Sequence, residues 1–156
     1  MKSNKVLLDG ISTKMGVIKE KLIVENSVND LSLNIHLEQT YLKAMNLIYG
    51  YDLKNANVVQ RNHPAVDGID DKRGIYVQVT STFSTDKIIN TVKKLNALGS
   101  KNPCKTLFFV FLKGRGKLPE KSKTKILKAI DNRFDLDFET HLLDNRSLYS
   151  ELVNKK

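Results

Sequence analysis

The chain has 156 residues, 40 % of them apolar, and its 26 Lys and Arg outnumber its 17 Asp and Glu, for a formal charge of +9. That length and apolar fraction exclude a disordered chain and suit one buried core, so one domain over residues 1–156 is expected. The positive excess favours an anionic partner, nucleic acid first and an acidic membrane surface second. Cys104 stands alone, cannot form an internal disulfide, and precedes an apolar run, which marks it as a small core residue. No apolar stretch approaches the ~18–20 residues of a membrane span. The first twenty residues carry Lys2, Lys5, Asp9, Lys14, Lys19 and Glu20, which leaves no signal-peptide core, so a cytoplasmic protein is expected.

In chain order, residues 3–26 suit a helix with weak points at Gly10 and Gly16. Asp30 or Ser32 can cap a second helix running to about Tyr49, where Gly50 is placed to stop it. "NVVQ" (57–60) suggests a short strand. The segments 65–70 and 75–80 around "DDKRG" suggest a hairpin with a glycine-containing turn. Ser84 can cap a helix over 85–98, whose Ile88, Ile89, Val92, Leu95 and Leu98 recur at helical spacing. "TLFFVFL" (106–112) has the continuous apolar run of a central strand buried on both faces. After a basic loop come a helix near 119–131, a strand near 134–143 and a last helix near 145–154. A meander followed by strand–helix–strand crossovers predicts a mixed sheet flanked by helices, an α/β (α+β) fold.

Two places hold polar groups where apolar ones belong. On the second helix, Leu31, Ile35, Leu42 and Met45 form one arc with Glu38 in its middle. A carboxylate on a buried face costs several kcal/mol unless a cation or donor compensates it. In the hairpin, alternation puts Tyr76, Gln78 and Thr80 on one face and Ile75, Val77 and Val79 on the other. A turn near 70–74 brings Asp67 roughly opposite Gln78 or Thr80. If the helix carrying Glu38 packs on the Gln78 face, four oxygen-bearing groups surround one point. Such a set suits Mg²⁺ or Mn²⁺, held by one or two carboxylates plus water and phosphate oxygens.

Helix with an acid, meander, Asp67 on the second strand and a polar pair on the third: this order resembles the restriction-endonuclease-like, or PD-(D/E)XK, nuclease superfamily. More closely, "LIYGYDLKNAN…HPAVDGIDDKRGIYVQVTSTFSTDKIINTVKKL" (47–95) resembles the SMEK domain of bacterial proteins found in predicted conflict and defence systems. The resemblance implies a Mg²⁺- or Mn²⁺-dependent phosphodiesterase acting on nucleic acid, DNA before RNA, alone or with partner proteins of a defence system. It assigns Asp67 to the metal-binding acid, Gln78 to the second ligand, Glu38 to the additional acid of the first core helix, and Thr80 to the position of the superfamily's lysine. The sequence departs from the pattern in three ways. Pro64 stands three residues before Asp67, Gln78 is neutral, and Thr80 carries no cation, a loss that Lys87 in the next helix can make good. The alternative is a catalytically inactive nuclease-fold module that binds nucleic acid or a partner protein.

Other segments bear on binding. Thr80, Ser81, Thr82, Ser84 and Thr85 place hydroxyls ahead of a helix N-terminus, where a phosphate can be cradled. "KGRGK" (113–117) lacks the Walker A spacing. Its Lys113, Arg115 and Lys117 lie in a stretch, Lys101 to Lys128, with nine Lys and Arg and one acid, Glu120. A loop leaving the central strand with that composition suits the phosphate backbone of a nucleic acid. His36, His63 and His141 show no metal-ligand spacing, and only His63 falls near the acids.

Overall fold

A computed structural model describes residues 31–59, 63, 65–99 and 102–154, with Val6, Asp9, Gly10 and Thr13 ahead of them. Those four are helical; the rest of the expected helix over 3–26, the candidate cap Asp30 and the side chains of residues 31–36 lie outside that description. Helix α1 (Leu31–Tyr49) already includes Ser32 as a helical residue. It ends at Gly50, whose φ of 71° is left-handed and whose N–H donates to the Asn46 carbonyl at 2.9 Å. Asn46 then staples the following loop, accepting from Leu53 N–H at 2.7 Å and donating to the Leu53 carbonyl at 3.1 Å.

The remaining elements are β1 (Lys54–Asn55), α2 (Ala56–Val59), β2 (Gly68–Asp70), β3 (Ile75–Thr80), α3 (Thr85–Ala97), β4 (Thr106–Phe111), α4 (Glu120–Ile130), β5 (Leu142–Asp144) and α5 (Asn145–Asn154). The five strands form one sheet in chain order. The β1–β2 and β2–β3 pairings are antiparallel, and the β3–β4 and β4–β5 pairings are parallel. This is the expected α/β architecture, a mixed sheet between helical layers. Helices α1 and α5 cover the face of Ile75, Val77, Val79, Phe108 and Val110. Helices α3 and α4 cover the face of Tyr76, Leu107, Phe109 and Phe111. The strand β4 is buried on both faces, as its unbroken apolar run demands. No helix among the described residues is long and apolar enough to cross a membrane.

Three expected strands differ. The hairpin strand expected over 65–70 begins only at Gly68, which leaves Asp67 just ahead of it. The valines of 57–60 do not pair; the strand is Lys54–Asn55, and Ala56–Val59 make one helical turn. The Asn55 side chain accepts the Asn57 N–H at 2.9 Å, and that local bond turns the chain out of the sheet. Val58 is accordingly 78 % exposed. The strand expected over 134–143 shrinks to Leu142–Asp144, with Asp135 bridging Thr106 alone. Asp137 accepts the N–H groups of Glu139 and Thr140 at 2.8 and 3.0 Å, a turn that breaks the strand between the two pairings.

One close approach sets the distance of α1 from the sheet. A Cβ on Gly68 would lie 2.3 Å from Leu42 Cδ2 and 2.9 Å from Leu42 Cδ1. Leu42 is buried, so its fork has little room to turn. Gly68→Ala should therefore destabilise the fold by about 1–3 kcal/mol, the range for overpacking a core. Adding Leu42→Ala should recover part of that loss in urea denaturation; strictly additive losses would show that the two residues do not limit each other.

Candidate active site

Asp67 stands at the point where the β2–β3 ladder ends. The last pair is Gly68 with Val77. Asp67 N–H donates to the Val77 carbonyl at 2.9 Å, and its own carbonyl accepts the Ala56 N–H at 2.8 Å. Two residues further along the same edge of β3, the Val79 N–H donates to Asp67 Oδ2 at 2.8 Å. A side-chain oxygen thus replaces the strand carbonyl that the splayed backbone no longer offers. Gln78 alternates onto the opposite face from Val77 and Val79. Oriented by its partners, its amide nitrogen donates to the Ala65 carbonyl at 3.0 Å and to Asp67 Oδ2 at 3.2 Å.

Glu38 reaches the same place from α1, one turn before Leu42, and its carboxyl is hydrogen-bonded to that of Asp67. Contrary to the expected convergence, the helix does not lie on the Gln78 face. It packs on the Val77 and Val79 face, because its apolar arc of Leu37, Tyr41, Leu42, Met45 and Ile48 needs the sheet's aliphatic side. Glu38 meets Asp67 only because the strands have parted there. Burial, and then the charge and hydrogen bond of Asp67, push the Glu38 carboxyl up from 4.5 to about 7. Asp67 is also raised, by burial first, against the lowering effects of the Val79 N–H, the bond to Glu38 and the charge of Lys87. The two acids behave as one coupled pair that retains a proton towards neutral pH.

This donor set fits a hard divalent cation. Two carboxylates that oppose each other's ionisation are the groups a cation relieves, and Mg²⁺ commonly takes one or two carboxylates and completes its shell with water and phosphate. Among the described residues no group of three or more His, Cys, Asp and Glu could hold a metal. A third protein donor would be the Gln78 amide oxygen, which requires the orientation opposite to the one its present partners select.

A cleft of about 350 Å³ opens over Asp67 and Gln78. Helix α3 lines it with Lys87, Asn90, Lys93 and Lys94, and the chain before β2 adds His63. Ser84 caps α3 by accepting the Lys87 N–H at 3.1 Å, which fixes Lys87 in the first turn near Asp67. His63 accepts the Ala65 N–H at Nδ1, 3.3 Å away, and its ring packs edge-on against Tyr76. Burial holds the imidazole below its usual pKa, so it is neutral at pH 7. Sequence reasoning misses Asn90, Lys93 and Lys94 as lining residues. A signal for them exists, because 87, 90 and 94 fall on one helical face and Ile88, Val92 and Leu95 on another.

Thr80 does not join the group. It is buried, its Oγ1 accepts the Thr82 N–H at 3.2 Å, and it does not line the cleft. Of the other hydroxyls, Ser84 is the helix cap and Thr85 donates to Ser122 at 2.9 Å, tying the starts of α3 and α4 together. The basic loop leaves the same end of the sheet. Its Arg115 guanidinium donates to the carbonyls of Leu142 (2.7 Å) and Glu139 (3.4 Å), and its backbone N–H to Asp144 (3.1 Å), so Arg115 holds the β5 edge. Lys117 is exposed and Lys113 partly so. Cys104 is buried and its thiol is pushed up to about 12 by that burial, which leaves it inert as a nucleophile.

The carboxyl pair makes stability depend on pH in metal-free buffer. Glu38 titrates at about 7 in the folded chain, against an ordinary value of 4.5. Its protonated form therefore contributes fully below about 4.5, and the contribution is lost as pH rises through about 7. Glu38→Gln should flatten that fall in urea denaturation across the same range; a variant with the parental slope would show that the carboxyls do not meet.

Comparison with curated proteins and with solved structures returned no match. A family model does match, that of the SMEK domain, over residues 10–153, which takes in every helix and strand named above except Asn154, the last residue of α5. By that match the chain belongs to the SMEK domain family.

Proposed function

We propose that this SMEK domain is a metal-dependent phosphodiesterase of the restriction-endonuclease-like superfamily, acting on nucleic acid, with DNA ahead of RNA, in a bacterial defence system. The observation that carries the reading is the Glu38–Asp67 carboxyl pair, whose Asp67 lines one cleft together with Gln78 and Lys87. A meander, a helical crossover and a parallel strand, with the acid just before β2 and the amide on β3, also support the superfamily placement. The resemblance to domains of conflict systems supports the biological setting.

Glu38, Asp67 and Gln78 would hold Mg²⁺ or Mn²⁺. Bound there, such an ion supplies a water of lowered pKa and neutralises charge on the scissile phosphate. Lys87 supplies a fixed positive charge next to the acids, in place of the cation that Thr80 lacks, and stabilises the negative charge that develops on the phosphate. Lys113 and Lys117 lend positive charge at the same end of the sheet, while Arg115 keeps that loop in place.

A second reading rests on Gln78 and Thr80. The amide now presents donors to Asp67, and the Thr80 hydroxyl is spent on the Thr82 N–H. Both suit a scaffold that binds nucleic acid or a partner protein without cutting it.

Purified protein with Mg²⁺ or Mn²⁺ and DNA or RNA substrates separates the two. The nuclease reading expects cleavage that Asp67→Ala abolishes and Lys87→Ala lowers by about 10²–10³-fold, with substrate binding little changed. It also expects Mg²⁺ to raise the melting temperature of the parent but not of Asp67→Ala. Binding without cleavage in any metal would favour the scaffold. Cleavage lost in Asp67→Ala but intact in Lys87→Ala would keep the metal site and remove the lysine from it.

A further inference from the structure

The cleft has one wall whose chemistry the cleavage reading leaves unused. Lys93 and Lys94 of α3 line it beyond Lys87, with Asn90 between. Lys87, Asn90 and Lys94 share a face at helical spacing, and Lys93 flanks it. Both lysines are exposed, and neither makes an ion pair among the described residues. Two further cations are thus held along one rigid helix that leads away from the paired acids. The basic loop offers less, since its Arg115 is engaged by the carbonyls of Leu142 and Glu139.

His63 adds a donor of another kind. Its Nδ1 accepts the Ala65 N–H, so in the neutral ring the proton sits on Nε2, and the residue lines the same cleft. The wall therefore combines point charges with a neutral N–H. Charges attract the phosphates of a polyanion and release its counterions, whereas a neutral donor bonds an oxygen without doing so.

Building on the nucleic-acid reading above, we propose that Lys93 and Lys94 grip backbone phosphates next to the one over the acids, and that His63 donates from Nε2 to an oxygen of the same strand. Helix α3 is then the track that positions the strand. The cleavage chemistry does not enter this assignment.

The test is fluorescence anisotropy with a labelled single-stranded oligodeoxynucleotide of mixed sequence, in EDTA, over a series of salt concentrations. Lys93→Ala with Lys94→Ala, two exposed positions that should not disturb folding, is expected to reduce the slope of log K against log salt by about 1.4, or about 0.7 for each phosphate no longer neutralised. Lys43→Ala, on the helix that covers the other face of the sheet, should leave the slope unchanged. His63→Asn keeps an acceptor for the Ala65 N–H but lacks Nε2–H. It should weaken binding about three- to tenfold, the worth of one hydrogen bond, with the slope unaltered. An unchanged slope in the double variant, an equal loss in Lys43→Ala, or no binding by the parent overturns the track. A slope that falls in His63→Asn overturns the neutral donor. Binding that follows this pattern in a protein that never cleaves would sink the nuclease reading and leave the track standing.

Discussion

Asp67 Oδ2 accepts the Val79 N–H where strands β2 and β3 part, and the arrangement around the cleft depends on that bond. A sheet that opens inside a protein exposes backbone donors, and each must find an acceptor or cost about 1–3 kcal/mol. Here the acceptor is a carboxylate, so the same atom that closes the ladder also brings negative charge into a half-buried gap. Gln78 shares that oxygen, and the Glu38 carboxyl arrives through the gap from the far side of the sheet. Structure and chemistry are coupled at one side chain. Removing it takes away a ladder bond as well as a candidate ligand.

The supports for this geometry lie in the core. Tyr41, on the turn of α1 after Glu38, donates its hydroxyl to Asn145 at the start of α5 and is fully buried. Gly68 lets Leu42 sit directly on β2. Together these contacts fix both the height and the rotation of α1, and with them the reach of Glu38. On the other face, Phe83 packs edge-on against Phe111, and the Thr85–Ser122 bond joins the starts of α3 and α4. The lysine-bearing helix is thereby held at the same end of the sheet as the acids. The Glu38 carboxyl and the lysines of α3 thus come from helices anchored in different hydrophobic layers, and they approach each other around Asp67.

Much of this was legible in the sequence, because periodicity and turn chemistry are local. The α3 helix with its Ser84 cap, the β4 run, the Gly50 stop and the hairpin turn all rest on residues within a few positions of one another. The proximity of Asp67 to Gln78 followed from the length of the turn. The errors also have local causes. Val58 and Val59 have strand propensity, but Asn55 bonds the Asn57 N–H and turns the chain. Asp137 breaks 134–143 in the same manner.

The sequence by itself determined which residues carry the unusual chemistry, since a glutamate in an apolar arc and an aspartate facing a polar pair across a hairpin stand out against simple patterns. It also determined the centre of the sheet, from the alternation of β3 and the two-sided burial of β4. Only the tertiary structure decided which face α1 covers, and so that Glu38 meets Asp67 through a gap in the sheet instead of across an open face. It also decided that Thr80 turns to its own loop while Lys93 and Lys94 join the cleft. The reason is physical. Spacing along a chain fixes which side chains share a face, but which faces meet depends on the burial of many residues at once, and no short stretch contains that sum.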